Sequence, residues 1–339
     1  MQIKLSKIIS ACLLAIGCLL TPIANADISQ RADVNEFIDE MVKKHDFDRT
    51  NLVKVFKKVK INPKIIEYIT RPAEAKPWYE YRPIFLKEDR IRGGVKFWRQ
   101  NAKLLQRAYE EYGVSPEIIV AIIGVETKYG KYKGKFPVMN ALATLGFDYP
   151  KRSKFFKKEL EEFLLLAREE KANPMSIKGS YAGAMGKPQF ISSSYRRYAV
   201  DFDGDGKRDI LNSTADAIGS VANYFAQHKW YKDEPITTPA KVEGNSYKAI
   251  VKKGIKPKMP LKKILESGVS INQKQSPDLQ AALIDLELKK GHEYWVAFNN
   301  FYVITRYNHS ELYAMAAYQL SQEIKRFRFV GPRKKSKKK

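Results

Sequence analysis

Cysteine is scarce in this sequence, and its two cysteines, Cys12 and Cys18, both lie near the start. An apolar run covers residues 8–20, with lysines before it and the small residues Ala24-Asn25-Ala26 after it. That order is typical of a secretory signal with a cleavage site, so we expect Asp27 to begin the mature protein. The mature protein would then lack disulfides, thiolate zinc sites and cysteine nucleophiles.

Residues 1–26 are therefore predicted to be a signal peptide that exports the chain to the periplasm. One alternative stays open, because Ala15-Ile16-Gly17-Cys18 loosely resembles a lipoprotein processing box. Processing there would leave Cys18 anchored by lipid in the outer membrane. The apolar run is too short to span a bilayer comfortably, and no longer apolar run follows it.

Acidic residues are few compared with basic ones, at 37 against 61, and the formal net charge is +24. Removal of the signal segment, with Lys4 and Lys7, would leave a charge of +22. Such a charge favours an anionic partner, which is a nucleic acid, a membrane surface or an acidic polymer. Export argues against nucleic acid, and no nucleic-acid recognition motif is present. We therefore expect an acidic polymer or, through peripheral contact, a membrane surface as the partner.

The sequence also lacks the motifs of several enzyme classes: it has no HExxH, no GxSxG and no P-loop. Its four histidines are scattered. What it does have is a carboxyl on an apolar helical face, since Glu126 continues the spacing of Ile119, Ile122 and Ile123. Burial favours the protonated form of an unpaired carboxyl, and such an acid can protonate a leaving oxygen. A Glu126 at the edge of the face, with its carboxyl in water, stays open as the alternative.

An ordinary glycosidase needs a second carboxylate near its acid. The stretch Tyr129–Ala143 after Glu126 contains none, and Asp148 beyond it lies in a turn. The sequence therefore predicts a lone acid without a nucleophilic partner, and no cofactor is expected for the chemistry.

An acidic loop with carboxylates at every second position matches the opening of an EF-hand calcium loop. Its expected ligands are the side chains of Asp201, Asp203, Asp205 and Asp216 and the backbone carbonyl of Lys207. The twelfth position holds Asn212 where an EF-hand has Glu, so Asp216 would close a longer loop. Two alternatives stay open: a bare acidic turn, and a capping-box role for Asp216. Bound Ca²⁺ would be structural.

The hydrophobic periodicity is helical over most of the chain and is lost after Tyr231. Helices are expected over 33–60 (two), 95–112, 116–130, 140–145, 153–171, 214–228 and 310–326. Strands are expected at Tyr247–Lys252 and His292–Phe298. The segment Arg71–Pro83, rich in proline and aromatic residues, is expected to be a packed linker or part of a cleft. The fold class is therefore mainly α (α+β), with a small β-containing insertion.

Several blocks of sequence resemble the membrane-bound lytic murein transglycosylase B family, over about residues 34–321. They are GVETKYGKYKGKFPVMNALATLGFDYPKR, GSYAGAMGKPQF, SSYRRYAVDFDGDG, DAIGSVANYF and FYVITRYNHSELYAMA. The resemblance implies a lysozyme-like helical catalytic core. It also implies an α domain and a small β domain. Together with the sequence patterns, this predicts a signal peptide at 1–26, an N-terminal helical domain at 27–112, core at 113–230 and 301–328, a small β-containing domain at 231–300 and a disordered basic tail at 329–339.

The implied activity is non-hydrolytic cleavage of the β-1,4 bond between N-acetylmuramic acid and N-acetylglucosamine in peptidoglycan, in cell-wall turnover. Glu126 matches the sole acid and base of the family, and the product end is a 1,6-anhydro ring. A hydrolytic muramidase on this fold and a non-catalytic peptidoglycan-binding scaffold remain as alternatives. Endo or exo action and any partnership with the cell-wall synthesis machinery stay open.

The resemblance also implies a set of substrate-binding residues: Ser180, Gln189, Tyr81, Tyr224, Tyr307, Asn308, Tyr313 and Arg152. Arg152 belongs to a basic pair that would meet peptide carboxylates. The acidic loop matches the calcium loop of the family, one residue longer. The sequence MGKPQF departs from the family's MGYGQF, so Lys187 and Pro188 are expected to alter the wall of the cleft.

Overall fold

The computed structural model describes residues 27–71 and 76–330. The predicted signal peptide with Cys12 and Cys18, and residues 331–339 of the predicted tail, lie outside this part. Within the described ranges, no helix has the length and apolar character needed to cross a membrane.

Helices dominate the chain, and they are numbered α1 to α15 in order. They are Ala32–His45, Arg49–Phe56, Pro63–Thr70, Trp78–Phe85, Glu88–Gln100, Ala102–Tyr112, Pro116–Thr127, Val138–Asp148, Ser153–Glu169, Ser192–Tyr198, Thr214–Gln227, Tyr247–Val251, Leu261–Leu265, Asn299–Tyr307 and Glu311–Phe329. Short 3-10 helices cover Ile28–Gln30 and Pro150–Arg152. The mainly helical fold class is confirmed.

Strands β1 to β7 form two antiparallel sheets. They are Phe136–Pro137, Lys178–Gly179, Thr237–Val242, Met259–Pro260, Val269–Ile271, Gln280–Glu287 and His292–Ala297. Strands β1 and β2 pair beside the glycine-rich segment, and the other five form a sheet in the order β4-β6-β7-β3-β5. This sheet has its own apolar core, in which Leu283 and Val296 are buried. The β-containing insertion predicted at 231–300 therefore contains a packed sheet.

Two predicted elements differ from the structure. The stretch Tyr247–Lys252 was expected to be a strand, but it forms helix α12 because the chain buries Ile250 against β6. The stretch Val95–Tyr112 was expected to be one helix, but it is divided between α5 and α6. The division falls at Asn101, whose backbone is not helical and whose side-chain amide donates to the Phe97 carbonyl at 2.8 Å.

The proline-rich segment is partly helical, as α4 contains Pro83. Trp78 in α4 is buried, and its indole N–H donates to Glu293 of β7 at 2.8 Å. At the other end of the chain, α15 continues to Phe329, one residue into the predicted tail. Phe329 lies edge-on to Trp98 of α5, with ring centroids 5.9 Å apart.

Helix α7 lies at the centre of the helical body and packs against α5, α6, α11 and α15. Every residue from Ile118 to Gly124 is buried, so α7 is apolar on all sides. The sequence had predicted a single apolar face, and the buried surface of the helix is wider than that. Because neighbouring helices enclose α7, a polar group near its end faces protein on most sides.

Candidate active site

Helix α7 places Glu126 in its last turn. The sequence predicted a stop at Gly130, but the helix ends at Thr127, and Lys128 and Tyr129 adopt left-handed backbone conformations with φ of 50° and 63°. The buried Thr127 hydroxyl holds this turn by donating to the Lys187 carbonyl at 2.9 Å and accepting from the Gly130 amide at 2.9 Å. These bonds hold the turn that directly follows Glu126.

The Glu126 side chain is partly buried. Burial raises its pKa from 4.5 to about 7, and a hydrogen bond from the Tyr313 hydroxyl, at 2.5 Å, opposes that shift. Burial disfavours the charged form, whereas the phenol stabilises it. With a pKa of about 7, the group can both donate and accept a proton near neutral pH.

No second carboxylate contributes to the pKa shift of Glu126 among the residues that the structure describes. The groups around it are phenols: Tyr313, from α15, and Tyr307, from α14, are both buried enough to hold their pKa values well above 10. The charge of Glu126 raises both pKa values further. The site therefore has one titrating acid and neutral hydroxyls beside it.

The glycine-rich segment forms a tight loop through its own polar side chains. The Ser180 hydroxyl accepts from the amides of Ala182 and Ala184, at 3.2 and 3.0 Å. Gln189 has a left-handed backbone with φ of 54°, and its side-chain amide donates to the Gly186 carbonyl at 3.0 Å. Both predicted substrate-binding residues thus shape the loop, and glycan contact by them stays a prediction.

Glycine at position 134 allows this loop to approach the end of α7. A Cβ at Gly134 would lie 2.0 Å from the carbonyl carbon of Gly179, and Gly134 has φ of 91°. No side chain fits that gap.

Aromatic rings join several of the predicted residues. Tyr307 lies 5.9 Å from Phe190 and 4.8 Å from Tyr224, measured between ring centroids. The Tyr307 hydroxyl donates to the Pro188 carbonyl at 2.6 Å, and the Tyr224 hydroxyl donates to the Arg306 carbonyl at 2.5 Å. These two hydroxyls therefore tie α14 to the glycine-rich loop and to α11.

The other predicted substrate residues lie in three places. Tyr81 of α4 is half-buried, 5.1 Å from the Phe85 ring, and contributes to the raised pKa of Tyr313, which places it on the same side of the site. Asn308 is exposed where α14 ends. Arg152 lies in the 3-10 helix before α9, with its guanidinium 4.2 Å from the centre of the Phe155 ring. The structure therefore groups Tyr81 with the site, whereas the contacts of Arg152 run to α9.

The acidic loop brings carboxylate oxygens of Asp201, Asp203 and Asp205 within 4.8 Å of one another. This donor set is hard oxygen, which suits Ca²⁺. Asp216 is buried outside this group, and its two oxygens accept from the amides of Phe202 and Asp209, each at 2.7 Å. The role of Asp216 as closing ligand stays a prediction, as does that of the exposed Lys207 carbonyl.

Sequence reasoning missed several residues that hold the site. Asp209 occupies the ninth position of the acidic loop, where an EF-hand often binds the ion through water, and that spacing could have indicated it. Thr127 and Lys133 carried no sequence signal. Lys187 is buried, and its ammonium donates to the Asn212 carbonyl at 2.5 Å; its expected effect on the cleft wall stays a prediction.

The known proteins to which this chain is similar are all named as transglycosylases. The family described as "Transglycosylase SLT domain" matches residues 29–322. The membrane-bound lytic murein transglycosylase B of Escherichia coli (strain K12) is 42% identical over 323 residues, covering 91% of this chain and 88% of that protein. The X-ray structure of the catenated lytic transglycosylase SltB1 from Pseudomonas aeruginosa has a TM-score of 0.85 and 50% identity, covering 89% of this chain and 100% of that chain.

A third relative is the Escherichia coli lytic transglycosylase Slt35 in complex with calcium. Its structure has a TM-score of 0.81 and 42% identity, and the match covers 89% of this chain and 95% of that chain. The family match over residues 29–322 includes α7 and the acidic loop. The chain therefore belongs to the transglycosylase SLT domain family, the lytic murein transglycosylases.

Proposed function

We propose that this chain is a peptidoglycan lytic transglycosylase in which Glu126 is the sole acid and base. The observation that carries the proposal is the single enclosed carboxyl, with a pKa of about 7 and a 2.5 Å hydrogen bond from Tyr313. A hydrolase of the two-carboxylate kind needs a second acidic group beside the first. Among the described residues, no second carboxylate contributes to the pKa shift of Glu126. The substrate itself must therefore supply the group that stabilises the positive charge.

The first step is protonation of the glycosidic oxygen by the neutral Glu126 carboxyl. The bond between C1 of N-acetylmuramic acid and that oxygen breaks, and N-acetylglucosamine leaves with the proton. The carbonyl oxygen of the substrate's own N-acetyl group stabilises the positive charge at C1. The Tyr313 hydroxyl stabilises the carboxylate that Glu126 has become, because it donates to that carboxylate.

The second step closes the ring. The Glu126 carboxylate takes the proton from the muramoyl C6 hydroxyl as O6 bonds to C1, which gives the 1,6-anhydro end. No water enters, and Glu126 regains its proton for the next cycle. One group with a pKa near 7 serves both steps, because its two forms are both populated near neutral pH.

The glycan is proposed to lie along the glycine-rich loop and the aromatic residues around Glu126. Ser180, Gln189 and Asn308 would bind polar groups of the sugars, and Tyr81, Tyr224, Tyr307 and Tyr313 would form the cleft walls. Arg152 would meet a peptide carboxylate at a distance from the reacting bond. The relative named for murein supports this substrate.

Ca²⁺ is proposed to bind the acidic loop and to stabilise it. Asp201, Asp203 and Asp205 would contribute side-chain oxygens, Lys207 its carbonyl, and Asp216 would close the loop. The structure of a relative in complex with calcium supports this proposal. The ion would supply charge neutralisation for the loop and no step of the reaction.

The proposed location is the periplasm, after removal of residues 1–26. The relative named as membrane-bound supports a place in the cell envelope. The alternative is that a lipid on Cys18 anchors the protein in the outer membrane. The proposed domains are the helical N-terminal part at 27–112, the core at 113–230 and 301–328, and the β module at 231–300.

Mass spectrometry of fragments released from purified peptidoglycan tests the reaction directly. Wild type should release muropeptides lighter by one water than reducing sugars, and Glu126→Gln should release none. Reducing ends from wild type would make the protein a muramidase. Retained binding without release by either protein would make it a scaffold.

A further inference from the structure

Three successive carbonyls at the end of the acidic loop are held by residues of the active-site loops. The Lys187 amide donates to the Ile210 carbonyl at 3.1 Å, and the Lys187 ammonium donates to the Asn212 carbonyl at 2.5 Å. Between them, the Lys133 ammonium donates to the Leu211 carbonyl at 2.7 Å. Two lysine side chains thus fasten this short segment to the loops that border Glu126.

Lys187 is buried, with 9% of its surface exposed. An ammonium has three donors and is costly to bury without acceptors, so its hydrogen bond to a carbonyl is strongly favoured. The long side chain therefore sets the distance between position 187 and position 212. An apolar side chain of equal length would fill the space without holding the carbonyl.

The backbone of Lys187 is joined to the reacting group on its other side. Its carbonyl accepts from the Thr127 hydroxyl at 2.9 Å, directly after Glu126 in sequence. The next carbonyl, that of Pro188, accepts from the Tyr307 hydroxyl at 2.6 Å. A displacement of Lys187 is therefore passed to the end of α7 and to the wall formed by α14.

The segment at 210–212 is joined in turn to the carboxylates of the acidic loop. Ser213 follows it, and the Ser213 hydroxyl donates to an oxygen of Asp203 at 2.8 Å. The backbone amide of Asn212 donates to a carboxylate oxygen of Asp209 at 2.9 Å. A cation held by Asp203 would compete for the oxygen that Ser213 now contacts.

We propose that Lys187 is a positioning residue that links Ca²⁺ binding in the acidic loop to glycan binding beside Glu126. The path runs from Asp203 through Ser213 and Asn212 to Lys187, and from there to Thr127 and Pro188. This inference rests on the proposed function, since it concerns the same cleft.

Thermodynamic coupling between calcium binding and glycan binding can be measured from binding affinities alone, without following the reaction. If two sites are coupled, each ligand changes the affinity of the other by the same factor, commonly about fivefold or more. The probes are calcium chloride and the non-cleavable disaccharide product, N-acetylglucosaminyl-1,6-anhydro-N-acetylmuramic acid. Isothermal titration calorimetry gives the Kd of the disaccharide with excess calcium and with a chelator, and the Kd of calcium with and without the disaccharide.

For wild type we expect a reciprocal coupling factor of about five or more. In Lys187→Met the factor should fall well below the wild-type value, because the ammonium that holds the Asn212 carbonyl is gone and only the bonds to Ile210 and Leu211 remain. Lys187→Arg, which keeps a cation, should retain part of the coupling. Lys154→Met removes an exposed lysine of α9 and is the matched control, with the wild-type factor expected.

Three results would overturn the inference: a wild-type factor of one, full coupling in Lys187→Met, or no calcium binding by wild type. If Lys187→Met does not fold, Lys133→Met tests the hydrogen bond to the neighbouring Leu211 carbonyl. This variant should lower the coupling factor in part, and an unchanged coupling factor in Lys133→Met counts against the inference. Release of anhydro fragments by wild type is measured separately. If wild type releases them, the proposed function holds even where the coupling is absent.

Discussion

The acidity of Glu126 results from two opposing effects on one carboxyl. Enclosure by α7 and its neighbours raises the pKa, and the hydrogen bond from Tyr313 lowers it. The balance leaves a pKa of about 7, so that neither form is costly to reach during the reaction. A reaction that uses the same carboxyl first as acid and then as base needs this balance.

Tyr313→Phe should shift the pH profile to higher pH. The variant loses the donor that stabilises the charged carboxylate, so the pKa of Glu126 rises and the alkaline limb of kcat/KM moves upward from about 7. We also expect kcat to fall by about tenfold or more, as a charge-assisted hydrogen bond contributes about 1.5–3 kcal/mol. Rates of fragment release across pH measure both effects.

Tyr318→Phe is the matched control, because its hydroxyl lies on the same helix and contacts the Thr237 carbonyl instead. An alkaline limb that stays in place in Tyr313→Phe would show that the phenol does not tune Glu126.

Glu126→Gln should stabilise the folded protein at alkaline pH while abolishing fragment release. The folded pKa of about 7 exceeds the unfolded value of about 4.5, so the folded state binds more protons between these values. Wild-type stability therefore falls as pH rises from about 4.5 to about 7, by about 3 kcal/mol at most. Gln cannot ionise and avoids that loss.

Urea unfolding at pH 4 and pH 8 measures the difference. The two proteins should be similar at pH 4, and the variant should be the more stable at pH 8. An equal difference at both pH values would contradict a raised pKa for Glu126.

At the scale of elements, the close approach of two loops depends on Gly134. Gly134→Ala should destabilise the protein by more than about 3 kcal/mol and lower fragment release, because its Cβ would overlap the Gly179 backbone, 2.0 Å away. Gly291→Ala is the control: it has a similar φ of 74° but open space, so only backbone strain of about 1 kcal/mol is expected. Urea unfolding compares them, and equal losses would count against the steric reason.

Calcium removal should destabilise the acidic loop. Ligand binding to the folded state stabilises it by mass action, by about 2.7 kcal/mol at a hundredfold excess over Kd. A chelator should therefore lower the Tm of wild type but leave that of Asp205→Asn nearly unchanged, since Asp205 is a proposed ligand. Asp278→Asn, an exposed acid paired with Lys262, should respond like wild type. A Tm that does not depend on the chelator in wild type would remove calcium from the proposal.

At the scale of the whole molecule, positive charge is concentrated on one part of the β module. Residues 247–263 contain no acidic residue and seven exposed lysines, which are Lys248, Lys252, Lys253, Lys256, Lys258, Lys262 and Lys263. We call this surface the lysine face. The lysine face belongs to the β module, and its positive charge is expected to attract anionic cell wall.

Exchange of Lys248, Lys252, Lys253 and Lys256 for Gln should weaken binding to purified sacculi several-fold at low salt. The difference should disappear near 1 M salt, where the screening length is about 3 Å. The control exchanges Lys43, Lys54, Lys58 and Lys60, which are exposed on α1, on α2 and in the connection between α2 and α3. Equal weakening by the two sets would show that net charge matters and the lysine face does not.

Local patterns in the sequence determined a large part of this account. The apolar spacing around Glu126 and the alternation of Asp201, Asp203 and Asp205 indicated a helix with an acid and an acidic loop, because helix pitch and ligand spacing act over a few residues. The same reasoning was wrong at Tyr247–Lys252, where packing of Ile250 against the sheet outweighed strand propensity.

Contacts between distant residues were decided only by the tertiary structure. Tyr313 lies 187 positions after Glu126, and Lys187 lies 25 positions before Asn212, so no local spacing could pair them. The pKa of about 7 likewise depends on how completely neighbouring helices enclose the carboxyl. The sequence alone pointed to Glu126 as the proposed acid. The tertiary structure decided how acidic that carboxyl is, because desolvation is a property of the packed fold.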